Sequence, residues 1–283
     1  MTDVLPKDFV RALGEPAVST RLLRFTQRLA YFDVVESTND VAMGLLESGA
    51  PDGTTVLASA QTSGRGRRGR SWFSPEGVGL YLSVVIRDLQ AVPITLLAGV
   101  VAADGIRAAT EVAVDLEWPN DLVVESDESS HMWSRRKKVG GILAEGASGG
   151  ADHGAVVVGI GVNINSMGYP PDIVDRASSL EAISGRKVDR GIVMSSILLS
   201  LAEWSDKCRA AGGATMLQRW RELSPSSHGA RVSWASTEGD RSGITEGIDS
   251  DGALRVRFGE QSERVLGGTL VWLPEPSVDS LEG

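Results

Sequence analysis

Gln61-Thr62-Ser63-Gly64-Arg65-Gly66-Arg67-Arg68-Gly69-Arg70, with Trp72 close behind, is the most telling stretch of this chain. Four arginines alternate with three glycines between two apolar segments, Thr54–Ala60 and Leu80–Ile86, that read as buried strands. Glycines let backbone N–H groups approach an anion and accept positive φ. Arginine forks match phosphate oxygens two at a time. A loop of this kind can also close after a ligand arrives and keep water from a reactive intermediate. Read alone, the run is equally an RGG-like RNA contact or a solvated loop. Its seat between two strands of an acidic chain favours a small anionic ligand.

The chain around it has 283 residues, 42% of them hydrophobic, and a net charge of −9. That length suits one large domain and a small one. The acidic balance argues against general nucleic-acid binding, which needs a broad basic footprint. Cys208 is the one cysteine, so neither an intramolecular disulfide nor a cysteine cluster for zinc can form. Met1–Val10 carries acids and does not read as a signal peptide. The longest apolar stretch, Ile94–Ala103, is short for a membrane span and contains Gly99. We therefore expect a cytoplasmic protein with no membrane partner.

Residues 1–30 show a weak helical pattern and form an N-terminal extension. A winged helix–turn–helix needs roughly twice that length, so no DNA partner is expected. Leu29–Val35 reads as a strand running into Ser37-Thr38-Asn39, where Ser37 or Thr38 is a natural N-cap for the helix that follows. Pro93–Thr110 reads as a helix, with Pro93 in its first turn. Val112–Glu117 and Leu122–Val124 flank the turn Trp118-Pro119-Asn120-Asp121. Glu125–Lys137, which includes Trp133, reads as an exposed polar loop. Val139–Ala144 and Ala155–Ile160 read as apolar strands, and 172–223 as mostly helical, with a stripe through Ile192, Met194, Ile197, Leu198 and Leu201. After Ser224 come short strands about ten residues apart, punctuated by Asp251-Gly252 and Gly267-Gly268. The expected division is 1–30, a main domain over 31–224, and a small all-β domain with a short tail over 225–283.

Three further motifs carry chemistry, each with a plainer reading beside it. Lys138 opens the stretch Val139-Gly140-Gly141-Ile142-Leu143-Ala144-Glu145. There it suits a charge at the floor of a pocket, and the glycines let a ligand lie against backbone. It is also an ordinary place for a snorkelling lysine. Gly159-Ile160-Gly161-Val162-Asn163 lacks the third glycine of a dinucleotide fingerprint and could be glycine-relieved packing. Trp118-Pro119-Asn120-Asp121 is either a turn held by its Asp, or an amide and a carboxylate placed for Mg²⁺ or ribose.

In their order, these elements resemble the catalytic core of biotin–protein ligases from about Tyr31 to Leu273. The matching motifs are Ser37-Thr38-Asn39, Gly64–Arg70, Trp118–Asp121, Lys138–Leu143 and Gly159–Asn163. The resemblance implies an α+β fold: a class II aminoacyl-tRNA synthetase-like mixed sheet with flanking helices, followed by an SH3-like β-barrel. It implies biotin and ATP as substrates, with Mg²⁺, and a biotin carboxyl carrier domain as partner; it leaves room for a homodimer. Carried onto matching positions, it places Ser37, Thr38, Asn39 and Gln61 around the biotin ureido ring. It sets Gly64, Arg65, Arg67, Arg68, Gly69, Trp72, Lys138 and Gly141 along the rest of biotin. Arg65, Arg67, Arg68, Trp72, Asn120, Lys138, Gly161 and Asn163 fall to the nucleotide.

Chemistry under that resemblance follows from charge. The biotin carboxylate attacks the α-phosphorus of ATP, and Lys138, Arg65 and Arg67 offset the repulsion of two anions. Asp121 positions the metal or the carrier amine. His131, His153 and His228 fall in expected loops or beside a glycine-rich turn, so orientation rather than a histidine base should govern transfer to the carrier lysine. The nearest rival is a lipoate or octanoate ligase or transferase of the same fold. A rival of another class is an RNA-binding protein using Gly64–Arg70, against which the acidic balance counts.

Overall fold

The structure, a computed structural model, describes residues 2–89, 92–125, 136–147, 154–165, 168–236 and 239–273. Seven strands form the larger sheet: β1 (Leu29–Val35), β2 (Thr55–Gln61), β3 (Gly79–Ile86), β4 (Asp115–Glu117), β5 (Asp121–Glu125), β6 (Arg136–Gly146) and β7 (Val156–Asn163). Their order is β1-β2-β3-β7-β6-β5-β4. β1 and β2 run parallel, and the remaining neighbours are antiparallel. β6 begins earlier than its apolar run suggests, because Arg136 and Lys137 pair with Glu125 and Val124. Of the segment read as a loop, residues 126–135 lie outside the described residues and take His131 and Trp133 with them. His153 lies outside them as well.

The period of two along each strand assigns the faces. On β3, Leu80, Leu82, Val84 and Ile86 point into the large core, while Val85 joins a smaller cluster on the opposite side. On β7, Val158, Ile160 and Val162 point into the same large core, leaving Gly159 and Gly161 on the other face. One face is thus sealed by apolar side chains, and the other is pared down to backbone near its centre.

Helices cover the apolar face. The chain begins with α1 (Lys7–Gly14), α2 (Pro16–Ser19) and α3 (Leu23–Thr26), and α4 (Thr38–Glu47) follows β1. After β3 comes α5 (Ile94–Thr110), and after β7 come α6 (Leu180–Ser184), α7 (Arg190–Ala211) and α8 (Ala214–Leu223). α5 is buried along most of its length between the sheet and α7. Asp189 caps α7, its carboxylate accepting from the N–H groups of Gly191 and Ile192. Met194, Ile197, Leu198 and Leu201 of the expected stripe are buried, whereas Ile192, in the first turn, is 46% exposed and faces outward. Residues of the N-terminal extension enter the same core: Phe9, Ala12, Leu22 and Phe25 are buried, and the Asp3 N–H donates to the Tyr31 carbonyl at the open side of β1. Among the described residues α4 is the helix on the opposite face, where Ala42 and Leu46 meet Val56, Val85 and Val157.

Five further strands, β8 (His228–Ser236), β9 (Gly239–Ile248), β10 (Leu254–Phe258), β11 (Gln261–Val265) and β12 (Thr269–Trp272), form an antiparallel sheet in the order β11-β10-β9-β8-β12. Val232, Leu254, Val256 and Val265 are fully buried and continuous with the large core. The Trp118 Nε1–H donates to the Gly252 carbonyl at 2.9 Å, tying the β9–β10 turn to the β4–β5 turn. His228, expected in a loop, opens β8 and is exposed.

Candidate active site

The β1–α4 turn supplies the polar end of the site. Ser37 stands at the N-cap position but makes no capping bond. Gln61, at the end of β2, does that work instead, its Oε1 accepting from the Thr38 N–H at 2.8 Å and from the Thr38 hydroxyl at 3.1 Å. An orphan donor of the helix start is thereby satisfied from another strand. The Gln61 Nε2 donates to Ser74 Oγ at 2.9 Å. Ser83 Oγ, in mid-β3, lies 2.8 Å from Thr38 Oγ1 and 2.7 Å from Asn39 Oδ1. The Asn39 Nδ2 donates to Glu145 Oε2 at 2.8 Å and to the Leu143 carbonyl at 3.3 Å. Ser37, Thr38, Asn39 and Ser83 are all buried, so this network is held in a place where an unmade hydrogen bond is costly.

The arginine–glycine run is folded rather than loose. Arg65 and Ser71 form an antiparallel bridge, Gly66 N–H donates to Arg70 O, and Trp72 N–H donates to Gly64 O. Arg68 and Gly69 turn the tip with φ of 60° and 72°, a left-handed pair that returns the chain tightly. Arg65 leaves the hairpin toward Asp40 of α4 and Glu145 of β6. Arg67 points the other way, its Nη1 3.4 Å from Asn120 Oδ1. Burial and the neighbouring Arg68 charge pull the Arg67 guanidinium below its usual range.

Lys138 owes its position to a bulge. Leu122 pairs with Gly140, but Val123 pairs with Lys138, so Val139 is an extra residue in β6. In a regular strand, residues 138 and 141 would point to opposite faces. The extra residue brings the Lys138 side chain beside Gly141 and above the bared face. Its Nζ donates to Asp121 Oδ1 at 2.6 Å and lies 5.3 Å from the Trp72 ring centroid. The Lys138 backbone is gripped from downstream: its N–H donates to Arg176 O, and its carbonyl accepts from Ser178 N–H.

Trp72 lies flat across the bared strands. A Cβ on Gly161 would stand 2.6 Å from the indole Nε1, and a Cβ on Gly159 would collide with Asn39 Oδ1. These two glycines are therefore required by close approach, not by turn geometry. The Trp72 Nε1–H is buried and finds no hydrogen-bond partner among the described residues.

A cavity of about 190 Å³ joins these parts. It runs from Ser37, Thr38, Asn39 and Gln61, past Trp72, Gly141 and Gly161, to Arg65, Arg67, Arg68, Asn120, Asp121 and Lys138; Gly268, Leu270 and Trp272 of the smaller sheet close one wall. Gly64, Gly69 and Asn163 are outside this lining. Gly64 and Gly69 shape the hairpin, and Asn163 spends its amide on backbone, donating to Ser178 O at 3.0 Å and Lys138 O at 3.4 Å.

Two residues to which the sequence reading gave no role take part. Glu117 pairs with Asp121 in the β4–β5 hairpin and lines the cavity. Burial, reinforced by the Asp121 charge, pushes its carboxyl up to about 8. Glu145 joins Arg65 to Asn39 from outside the lining. The one sequence signal was an acidic residue ending an apolar strand in each case. Chemically, the cavity offers the hydrogen-bonding groups of the β1–α4 turn, five guanidinium or ammonium side chains (Arg65, Arg67, Arg68, Arg70 and Lys138) and the aromatic plane of Trp72.

The model of the Biotin/lipoate A/B protein ligase family matches residues 31–163. The Bifunctional ligase/repressor BirA of Bacillus spizizenii is 34% identical over 245 residues, which cover 84% of this chain and 72% of the relative. The Biotin--[acetyl-CoA-carboxylase] ligase of Mycobacterium tuberculosis is 29% identical over 285 residues, covering 92% and 96%. Among solved structures, the biotin protein ligase from Aquifex aeolicus in complex with biotin and ATP superposes with a TM-score of 0.71 at 28% identity, covering 88% of this chain and 100% of that one. The large mixed sheet with its second antiparallel sheet is the architecture of that structure. With its motifs gathered in one cavity, the chain belongs to the Biotin/lipoate A/B protein ligase family and, within it, to the biotin–protein ligases.

Proposed function

We propose that this ligase forms biotinyl-5′-AMP from biotin and ATP and transfers biotin to a lysine of a biotin carboxyl carrier domain. One observation carries the reading: a single cavity runs from the Thr38–Asn39–Gln61 network to Lys138, Arg67 and Asn120. The ureido ring has donors and acceptors that are expensive to bury unpaired, and the first end answers them. Ser37, Thr38, Asn39 and Gln61 take the ring, and Trp72 and Gly141 flank the tail. Lys138 and Arg67 meet the biotin carboxylate and the α-phosphate, where negative charge accumulates as pyrophosphate leaves. Arg68, Asn120 and Gly161 fall to the nucleotide. The relatives' names, which couple the ligase to acetyl-CoA carboxylase, support the carrier as acceptor.

Mg²⁺ fits the donor set in a limited way. Mg²⁺ binds through one or two carboxylates together with substrate phosphates, and Asp121 presents a carboxylate beside Lys138. No group of three or more potential metal ligands occurs among the described residues, so the ion would be shared with ATP, whose charge it neutralises. Transfer to the carrier rests on orientation: among the described residues the cavity is lined by no histidine.

The same reading extends to architecture and setting. We take 31–224 as the catalytic domain of class II synthetase type and 225–283 as the SH3-like C-terminal domain with its short tail, acting in the cytoplasm without DNA as a partner, with homodimerisation open to measurement. No helix among the described residues is long and apolar enough to cross a membrane.

Biotin-dependent ATP–pyrophosphate exchange, with lipoate and octanoate as competitors, tests the reaction. Exchange with biotin alone supports it. Exchange with lipoate or octanoate instead moves the chain to the sister activity. Silence with all three acids, alongside salt-sensitive RNA binding, returns the arginine hairpin to a nucleic-acid role.

A further inference from the structure

The arginines of the hairpin are divided in two directions, and one carboxylate outside the cavity accounts for the division. Glu145 Oε2 accepts from Arg65 Nη2 at 2.9 Å and from Asn39 Nδ2 at 2.8 Å. Asp40, in the first turn of α4, takes the same Arg65 nitrogen. Two carboxylates thus balance Arg65, which also lines the cavity, while Arg67, two residues on, lies against Asn120. The second bond to Glu145 has a separate effect. With Nδ2 directed to Glu145 and the Leu143 carbonyl, and Oδ1 toward Ser83, the Asn39 amide has one orientation that satisfies every neighbour. Glu145 itself is 28% exposed in its side chain and lies at the end of β6, paired with Val157.

We propose that Glu145, assisted by Asp40, is a positioning residue for adenylation: it anchors the root of the 64–72 hairpin through Arg65 and fixes the amide of Asn39 in the ring end of the cavity. The inference rests on the adenylating reading. It assigns Arg65 to holding the hairpin closed and leaves charge stabilisation to Arg67 and Lys138. A charged group tethered from two sides loses little freedom when the site fills, so closure needs less ordering at that moment.

The two duties separate in two variants of the full chain. Asp40→Asn with Glu145→Gln removes both charges that hold Arg65 but keeps an acceptor for Asn39. Glu145→Ala removes that acceptor. Each is measured for biotin-dependent ATP–pyrophosphate exchange, for escape of the acyl adenylate (read as biotin on bystander lysines), and for thermal melting. The double variant should leak adenylate roughly tenfold faster with its KM for biotin within about twofold of the parent. Glu145→Ala should raise the KM for biotin roughly tenfold while the KM for ATP stays close to the parent's. Parent-like leakage and KM in both variants would overturn the proposal. So would leakage and both KM values moving together in step with a lowered melting temperature, which marks a purely structural role. Absence of exchange in the parent would instead overturn the adenylating reading, and this inference with it.

Discussion

Lys138 Nζ and Asp121 Oδ1 meet at 2.6 Å because Val139 is an extra residue in β6. The pair holds the ammonium at the junction of the cavity's two ends. Lys138→Ala should lower pyrophosphate exchange by about 10²–10³, the usual loss when a charge-stabilising donor is removed. Binding of the carrier protein, followed by pull-down or calorimetry, should be unaffected. Normal exchange in that variant would count against Lys138 as the stabilising cation.

Glu117 gives the site a pH signature. Its carboxyl titrates at about 8 in the folded chain, against an ordinary value of 4.5. Between these values the unfolded chain has released a proton that the folded chain retains, so stability falls as pH rises through the window and levels off above it. Glu117→Gln removes that slope. Its melting temperature should gain on the parent's from about pH 5 to about pH 8 and keep a constant lead beyond. A lead independent of pH would show that Glu117 is ionised throughout.

Arg67 is the inward guanidinium of the hairpin. Arg67→Gly should let the activated acid escape, so that proteins other than the carrier become biotinylated. Blotting a mixture of carrier and bystander proteins with streptavidin reads this directly. Unchanged selectivity for the carrier would sink the idea.

Gly159→Ala would drive a methyl into the Asn39 side chain. Overpacking of this kind costs about 1–3 kcal/mol. Urea unfolding should report that loss, and the KM for biotin should rise more than the KM for ATP. Equal rises would place Asn39 away from the ring.

Much of this was legible in sequence for a physical reason. The apolar runs Leu80–Ile86 and Ala155–Ile160 are local signals of buried strands, and β3 and β7 stand where those runs put them. Other features depend on residues far apart in the chain. Glu145 is 80 residues from Arg65, and neither sits in a pattern that names the other. Asn163 carries a motif position, yet its amide is consumed by the backbone of Lys138 and Ser178, a use that depends on where 176–178 runs. Ile192 fits a helical stripe but falls in the first turn of α7, where its side faces solvent. The bulge at Val139 is equally silent in sequence, since an apolar residue between a lysine and two glycines looks like any strand interior.

The grip of Arg176 and Ser178 on the Lys138 backbone has an engineering consequence. The lysine's seat is secured by chain that comes after it, with Glu125 and Val124 steadying the strand entrance. Trimming or redesigning the 173–178 stretch should therefore unseat the ammonium group even with every residue of β6 left in place.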